Sequence, residues 1–308
     1  MLNISKGKIN RAVKTVIYGT EGVGKSTLAS RFPGPLFIDV EGGTSQLDVR
    51  RIEKPATWEE LISIVREVAA SPDVCRTLIL DTADFAESMC IAGILKKYNQ
   101  KSIESFGYGK GYTYIGEEWQ KLMDAFNACI TAGINVTVIA HARQRKIELP
   151  DQSGSFDHWE MKLTKQVAPL LKEWADLLLF LNYKTYVVTT ENNSKKAQGG
   201  KRVMFTTHNP VYDAKNRHGL PDELDLSFDG IAQIFNAPQP AQTPLDRLHE
   251  LMAEAGITEY QVREVAALRG KYPIETPLSD YSDEIVNGFC IKHFNKIVEL
   301  IRKGENNG

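Results

Sequence analysis

The stretch VIYGTEGVGKSTLAS, residues 16–30, runs from a short apolar segment through a glycine-rich turn into a helix-forming segment. Within it, GTEGVGKS fits the pattern G-x-x-x-x-G-K-[ST], with Gly19, Gly24, Lys25 and Ser26 at the fixed positions. That pattern has meaning only between a strand and a helix. KTVIY (14–18) reads as a buried strand, and STLASRF opens a helix that Pro33 and Gly34 stop. Glycines 19, 22 and 24 allow the backbone to curl so that its N–H groups converge on phosphate oxygens. The helix N-terminus adds positive potential. The turn Gly19, Thr20, Glu21, Gly22, Val23, Gly24, Lys25, Ser26 and Thr27 is therefore expected to hold ATP. Lys25 reaches the β- and γ-phosphates, Ser26 offers a hydroxyl to Mg²⁺, and Thr27 is a neighbouring structural hydroxyl.

Outward from this turn, strand and helix patterns alternate. PLFIDVE (35–41) is a second strand, and Thr57 with Glu60 can cap the helix WEELISIVREVAA. RTLILD (76–81) is an apolar run of the kind buried on both faces. It delivers Asp81 to the C-terminal edge of the sheet, where ligands bind in such folds, and a carboxylate there suits the magnesium side. A helix near 84–97 follows. KKYNQKSIESFGYGKGYTYIGEE is too long and too rich in Gly and Tyr for a tight connector, so the next helix is expected at about 117–132. INVTVIAH (134–141) is another strand, and ARQRKIELPDQSGSFDHWEMK a second long polar segment. A helix near 164–174 leads to DLLLFLNY, TYVVTT, the polar hairpin tip ENNSKKAQGGK and RVMFTT, with DLSFDGIAQIF as the last core helix. The fold class is α/β: an open, mostly parallel sheet with an antiparallel extension at one edge. Residues 1–235 form the core, NAPQPAQTP (236–244) is a linker, and 245–308 are a small helical module whose last helix is expected at about 282–302.

Composition narrows the function. Across 308 residues, 42% are hydrophobic and 25% charged, which suits a globular protein with a substantial core. The net charge of −2 supplies no global field for a polyanion, so nucleic acid would have to be held by local patches. Cys75, Cys90, Cys129 and Cys290 form no CxxC pair, which argues against a zinc knuckle or a disulfide framework. No run reaches the roughly 20 apolar residues that span a bilayer, so a cytoplasmic protein without a membrane partner is expected.

Hydrolysis needs a group that activates water. The residue after Asp81 is Thr82, so the base must come from elsewhere, and FIDVEGG offers Asp39 and Glu41. Glu41 is the candidate. PLFIDVEGG, coming just after the helix of the glycine turn, resembles the RecA-type motors, in which the catalytic glutamate ends that strand. VTVIAH resembles their sensor strand and puts His141 at the position that touches the γ-phosphate, with Gln144 as an alternative. YDAKNRHGLP is similar to the KxRxG element of DnaB-type replicative helicases. The resemblance implies that Lys215 and Arg217 reach a neighbouring subunit's γ-phosphate, and hence a ring or filament of identical chains. The ordered set over residues 14–235 resembles most the phage-encoded AAA-type ATP-binding family. That family includes the Sak-class recombination proteins, which anneal single-stranded DNA. A phage-encoded chain would work in the bacterial host cytoplasm.

The resemblance also places the two long segments along a DNA path. The first holds Lys97, Lys101 and Lys110 among Tyr98, Phe106, Tyr108, Tyr112 and Tyr114, and the second holds Arg143, Arg145 and Lys146. Cations that track phosphates and aromatics that stack on bases suit single-stranded DNA. The same tyrosines could instead pack the loop onto the core. A single-strand-binding protein or another replication or recombination protein is a further expected partner. A helicase loader with weak hydrolysis and a small-molecule kinase are the competing functions.

Overall fold

The computed structural model describes residues 11–148, 154–189, 195–235 and 244–305. Its centre is β1 (Lys14–Gly19), whose last five residues are all buried. Along the chain follow α1 (Lys25–Ala29), β2 (Pro35–Asp39), β3 (Arg50–Ile52), α2 (Trp58–Ala70), β4 (Thr77–Asp81), α3 (Ala83–Lys97) and α4 (Lys110–Thr131). Next come β5 (Asn135–Glu148), β6 (Ser155–Met161), α5 (Val167–Trp174), β7 (Leu177–Thr189), β8 (Lys195–Phe205), β9 (Lys215–Asn216), β10 (Glu223–Asp225) and α6 (Ala232–Phe235).

The strands are ordered β10-β8-β7-β1-β5-β4-β2-β3, with β6 on β5 and β9 on β7. From β7 to β3 every pairing is parallel, whereas β8, β9 and β10 join antiparallel on the β7 side. This is the α/β architecture expected from the sequence, a mostly parallel sheet with an antiparallel extension at one edge. β5 stands between the P-loop strand β1 and the Asp81 strand β4. Helices cover both faces. Val16 and Tyr18 face one core with α2, α3, α4 and α5, while Val13 and Ile17 face the other with Leu28, Phe32 and Phe235. That split follows from the two-residue period of a strand.

Four local expectations need correction. α4 begins at Lys110 rather than near 117. Gly109 starts it in the left-handed region at φ 74°, and Gly111 fits against the Ile103 carbonyl, where a Cβ would come within 2.5 Å. Close packing thus recruits a glycine-rich sequence into a helix that propensity disfavours. The second polar segment is largely a hairpin: β5 continues to Glu148 and pairs with β6, with residues 149–153 outside the described set. The described part of ENNSKKAQGGK, residues 195–201, is strand β8 rather than a tip, and residues 191–194 lie outside the described set. DLSFDGIAQIF is a short strand, a 3-10 turn and the four-residue α6 instead of one helix.

The described residues 244–305 form a separate compact unit, and the expected linker 236–244 lies outside the described residues except for Pro244. It contains α7 (Pro244–Ala255), α8 (Glu259–Leu268), α9 (Asp283–Ile285) and α10 (Phe294–Glu305) around Leu248, Val262, Ala266, Cys290 and Ile297. The sequence reads as one helix from about 282 to 302, but a π turn over Val286–Ile291 interrupts it. Thr258 and Gln261 close a capping box on α8. All four cysteines are buried and unpaired. No helix among the described residues is long and apolar enough to cross a membrane.

Gly111→Ala tests the packing argument for α4. Helix propensity alone favours alanine by about 1 kcal/mol. The clash with Ile103 reverses the sign, and urea unfolding should show a loss of about 1–3 kcal/mol.

Candidate nucleotide site

The P-loop strand ends where only glycine fits. A Cβ on Gly19 would lie 2.3 Å from the Leu181 carbonyl of β7. Gly22 and Gly24 take φ of 69° and 108°, which turns the loop over the sheet edge. The loop is held from the β7–β8 side. Tyr183 donates its hydroxyl to the Gly22 carbonyl at 3.2 Å, and the Arg202 guanidinium lies 3.5 Å from the Val23 carbonyl. Lys25 is buried and its ammonium donates to the carbonyls of Gly19 (3.2 Å) and Thr20 (3.0 Å). Burial lowers its pKa, against the raising pull of Asp81, Glu41, Asp84 and Glu21.

Asp81 is 2% exposed and accepts the Ser26 hydroxyl at 2.6 Å. Burial pushes its carboxyl up to about 6, assisted by the charges of Asp39 and Glu41 and opposed by the Ser26 bond and Lys25. A buried carboxylate of raised pKa beside a hydroxyl, all oxygen donors, fits Mg²⁺, which takes one or two protein oxygens together with phosphate and water. No cluster of three or more His, Cys, Asp or Glu suited to a metal occurs among the described residues.

The backbone of β4 also places Glu41. The N–H groups of Val40 and Glu41 both donate to the Asp81 carbonyl, at 2.9 and 3.3 Å. Asp39, the other acid of FIDVEGG, serves the loop. Its carboxylate accepts from the N–H groups of Gly42 (2.6 Å), Gly43 (3.2 Å) and Thr44 (2.9 Å) and from the Thr44 hydroxyl (2.6 Å). Burial would raise its pKa, but these bonds outweigh it and hold the group ionised below the usual range. Glu41 is left half-buried at the mouth of the site.

His141 pairs with Gly19 across β5 and β1. Its Nδ1 lies 2.9 Å from Asp84 Oδ2, and its backbone N–H donates to Asp84 Oδ1 at 3.1 Å. Its Nε2 faces Glu41 Oε1 at 3.8 Å. Because Asp84 accepts at Nδ1, Nε2 is the ring atom turned toward the site. The Asp84 hydrogen bond raises the His141 pKa, against burial. Gln144 is exposed and, three residues on, falls on the opposite face of the strand. Sequence reasoning missed Asp84. Its only signal was an acidic residue in the first turn of the helix that follows Asp81.

The other predicted residues lie elsewhere. Lys215 donates to the carbonyls of Lys172 (3.0 Å) and Glu173 (2.9 Å) at the end of α5, and Arg217 pairs with Asp176 at 2.8 Å. β9 pairs with Leu177 and Leu178, at the opposite end of β7 from Leu181 and the P-loop. The two cations are thus about 10–16 Å along the strands from their own P-loop. Of the loop aromatics, Tyr98, Phe106 and Tyr114 form a packed cluster, with Tyr98 and Tyr114 stacked at 4.8 Å. Tyr112 donates to Glu104 at 3.1 Å, and Lys97 lies 3.6 Å from Glu118. Lys101, Tyr108 and Lys110 are exposed. On the hairpin, Arg143 pairs with Glu160 at 2.9 Å, Arg145 lies 4.0 Å from the same carboxylate, and Lys146 is exposed.

The raised His141 pKa gives a measurable link to pH. The His141–Asp84 bond contributes stability that is full below the unfolded pKa near 6.5 and is lost as pH rises through the higher folded value. In Asp84→Ala the His141 resonances should titrate at lower pH than in the wild type. An unchanged NMR titration would refute the pairing.

Comparison with known proteins bears on the same core. The chain is 22% identical over 149 residues to the SPbeta prophage-derived uncharacterized protein YorG of Bacillus subtilis (strain 168), covering 46% of this chain. The matched stretch spans 44% of that relative's length. Among solved structures it is similar to the KaiC-like protein PH0186 of Pyrococcus horikoshii OT3, at 10% identity and a TM-score of 0.36, over 63% of this chain and 79% of that one. It is also similar to the flagellar accessory protein FlaH of Methanocaldococcus jannaschii, at 12% identity and a TM-score of 0.36, over 68% and 82%. A family model described as AAA domain matches residues 11–218, the stretch that carries the P-loop, Asp81, Glu41 and His141. With that match extending over more than half of its length, the chain belongs to this AAA domain family of P-loop nucleoside triphosphatases.

Proposed function

We propose that the chain hydrolyses ATP with Glu41 as the general base and uses the cycle on single-stranded DNA in phage-type recombination or annealing. The observation that carries the hydrolysis is the double backbone bond of Val40 and Glu41 to the Asp81 carbonyl. It sets the Glu41 carboxylate beside the groups suited to the phosphates and Mg²⁺. Water attacks the γ-phosphorus in line with the leaving ADP oxygen, and Glu41 takes the water proton as the P–O bond forms. Lys25 moves from its loop carbonyls to the β- and γ-oxygens and offsets their charge. His141, protonated more readily because of Asp84, donates from Nε2 to the terminal phosphate. Ser26 and Asp81 would hold Mg²⁺, which would supply Lewis acidity to the phosphoryl transfer.

A contribution from Lys215 and Arg217 is a contribution to a neighbour's site, because their own P-loop lies at the far edge of the sheet. Their contacts with α5 and Asp176 keep the segment ordered on the surface where a neighbouring chain would meet it. For DNA, the supporting features are the exposed Lys101, Tyr108 and Lys110 before and at the start of α4, and the Arg143, Arg145 and Lys146 strand of the hairpin. The packed Tyr98, Phe106 and Tyr114 drop out of the stacking set. The prophage origin of the YorG relative agrees with a phage setting.

Glu41→Gln should lower ATP turnover by about 10²–10⁴-fold while ATP binding, measured by calorimetry, is retained. ATP turnover should also rise with single-stranded DNA and with protein concentration. The DNA effect should fade steeply with salt as phosphate contacts are lost. A rate independent of both DNA and concentration would remove the DNA and neighbour roles and favour a nucleotide-gated loader.

A further inference from the structure

The C-terminal unit carries a cavity of about 490 Å³ formed from its own helices. α7 supplies one wall through Arg247 and Leu251, four residues apart and so on one helix face. The other wall is the stretch from Ile291 to Lys296, where the π turn passes into α10. Turns of this kind inside helices are rare and are frequent at functional sites. Two kinds of side chain line the cavity. Leu251 and Ile291 are half-buried and Phe294 is 7% exposed, and all three pack in the module's core, so they form an apolar floor. Arg247, Lys292, His293 and Lys296 are exposed and form a cationic rim with Asn295. Lys292 and Lys296 are one helical turn apart, and neither side chain has an ion pair or hydrogen bond among the described residues. Phe289 carries Lys271 over its ring at 5.6 Å and the His293 ring at 6.5 Å, which adds a further cation near the rim. No acid occurs among the described lining residues. Residues 244–305 as a whole hold more Asp and Glu than Lys and Arg, so this gathering of cations runs against the sign of the module.

We propose that this cavity binds an acidic peptide segment of a partner protein, with a bulky apolar side chain of the peptide on the floor and its carboxylates on the rim. Charge complementarity sets the class of partner, because clustered cations recognise acidic motifs and their hydrogen bonds to carboxylates are of the strong, charge-assisted kind. The volume lies within the range of small-ligand sites, at roughly 300–1,000 Å³, and admits one large side chain with its neighbours. The floor adds what the rim lacks. Long-range charge attracts many anions, whereas an apolar floor rewards a peptide that buries a Leu or Phe there. A nucleic-acid strand fits less well. Its phosphates would meet the same cations, but sequence-tolerant strand binding also stacks bases on aromatic faces. The floor's aromatic ring, Phe294, is buried in the core and presents no face to a base. The site shares no residue with the nucleotide site or with the proposed DNA contacts.

Fluorescence anisotropy of the full chain with the labelled peptide Asp-Glu-Asp-Glu-Leu-Phe tests this. The wild type should bind it, and the affinity should fall as salt rises. The double variant Lys292→Glu, Lys296→Glu should weaken binding by about tenfold or more. Both side chains are exposed, so an unchanged circular dichroism spectrum and thermal midpoint report that the variant folds. Replacing the peptide's Leu and Phe by Ala should also cost about tenfold, because the floor is then left empty. No binding by the wild type, or equal binding by the double variant, overturns the proposal. Equal binding of the Ala-substituted peptide overturns it too, since the floor would then be idle. An oligothymidylate is the last probe. If the wild type binds it and not the peptide, and the double variant loses it, the cavity is a nucleic-acid contact and the peptide assignment is wrong.

Discussion

Asp81 is the point on which the site depends, because its side chain and its backbone serve two different groups at once. The carboxylate takes the Ser26 hydroxyl from the P-loop helix, and the carbonyl takes the N–H groups of Val40 and Glu41 from the end of β2. Parallel pairing of β2 with β4 and of β4 with β5 brings these strand ends to one edge of the sheet. A one-residue slip of β4 would turn Asp81 to the other face and disconnect both partners.

The electrostatic balance at that edge follows from crowding. Glu41, Asp81 and Asp84 lie near Lys25, Asp39 lies near Asp81, and His141 lies near Glu41 and Asp84, yet each acid is treated differently. Asp39 is satisfied by four hydrogen bonds from its own loop, and Asp84 by His141. Asp81 is the one whose pKa is pushed up, to about 6, chiefly by burial, and a cation beside it would offset that burial. Glu41 has neither a tight partner nor deep burial, which suits the proton-accepting role proposed for it.

Reading forward from the sequence succeeded where the signal was local. The P-loop, the apolar strand ending in Asp81 and the acid at the end of PLFIDVE each announce themselves within ten residues. It failed where distant parts of the chain decide. Lys110 to Tyr114 looked like loop because of Gly109 and Gly111, but Ile103 supplies a close contact that only a helix with a glycine there can make. Arg143 and Arg145 looked like a loop's cations, yet strand pairing with β6 sets both beside Glu160. Asp84 was passed over because its partner is 57 residues away.

The sequence by itself determined the α/β class, the phosphate-holding turn and the identity of the acids, because these depend on short-range pattern and on residues with no substitute for their chemistry. Tertiary structure alone decided which acid is left without a tight partner, which ring nitrogen of His141 faces the site, and that Lys215 and Arg217 lie at the edge opposite their own P-loop. Strand order and register set those distances, and they are properties of pairing between segments far apart in the chain.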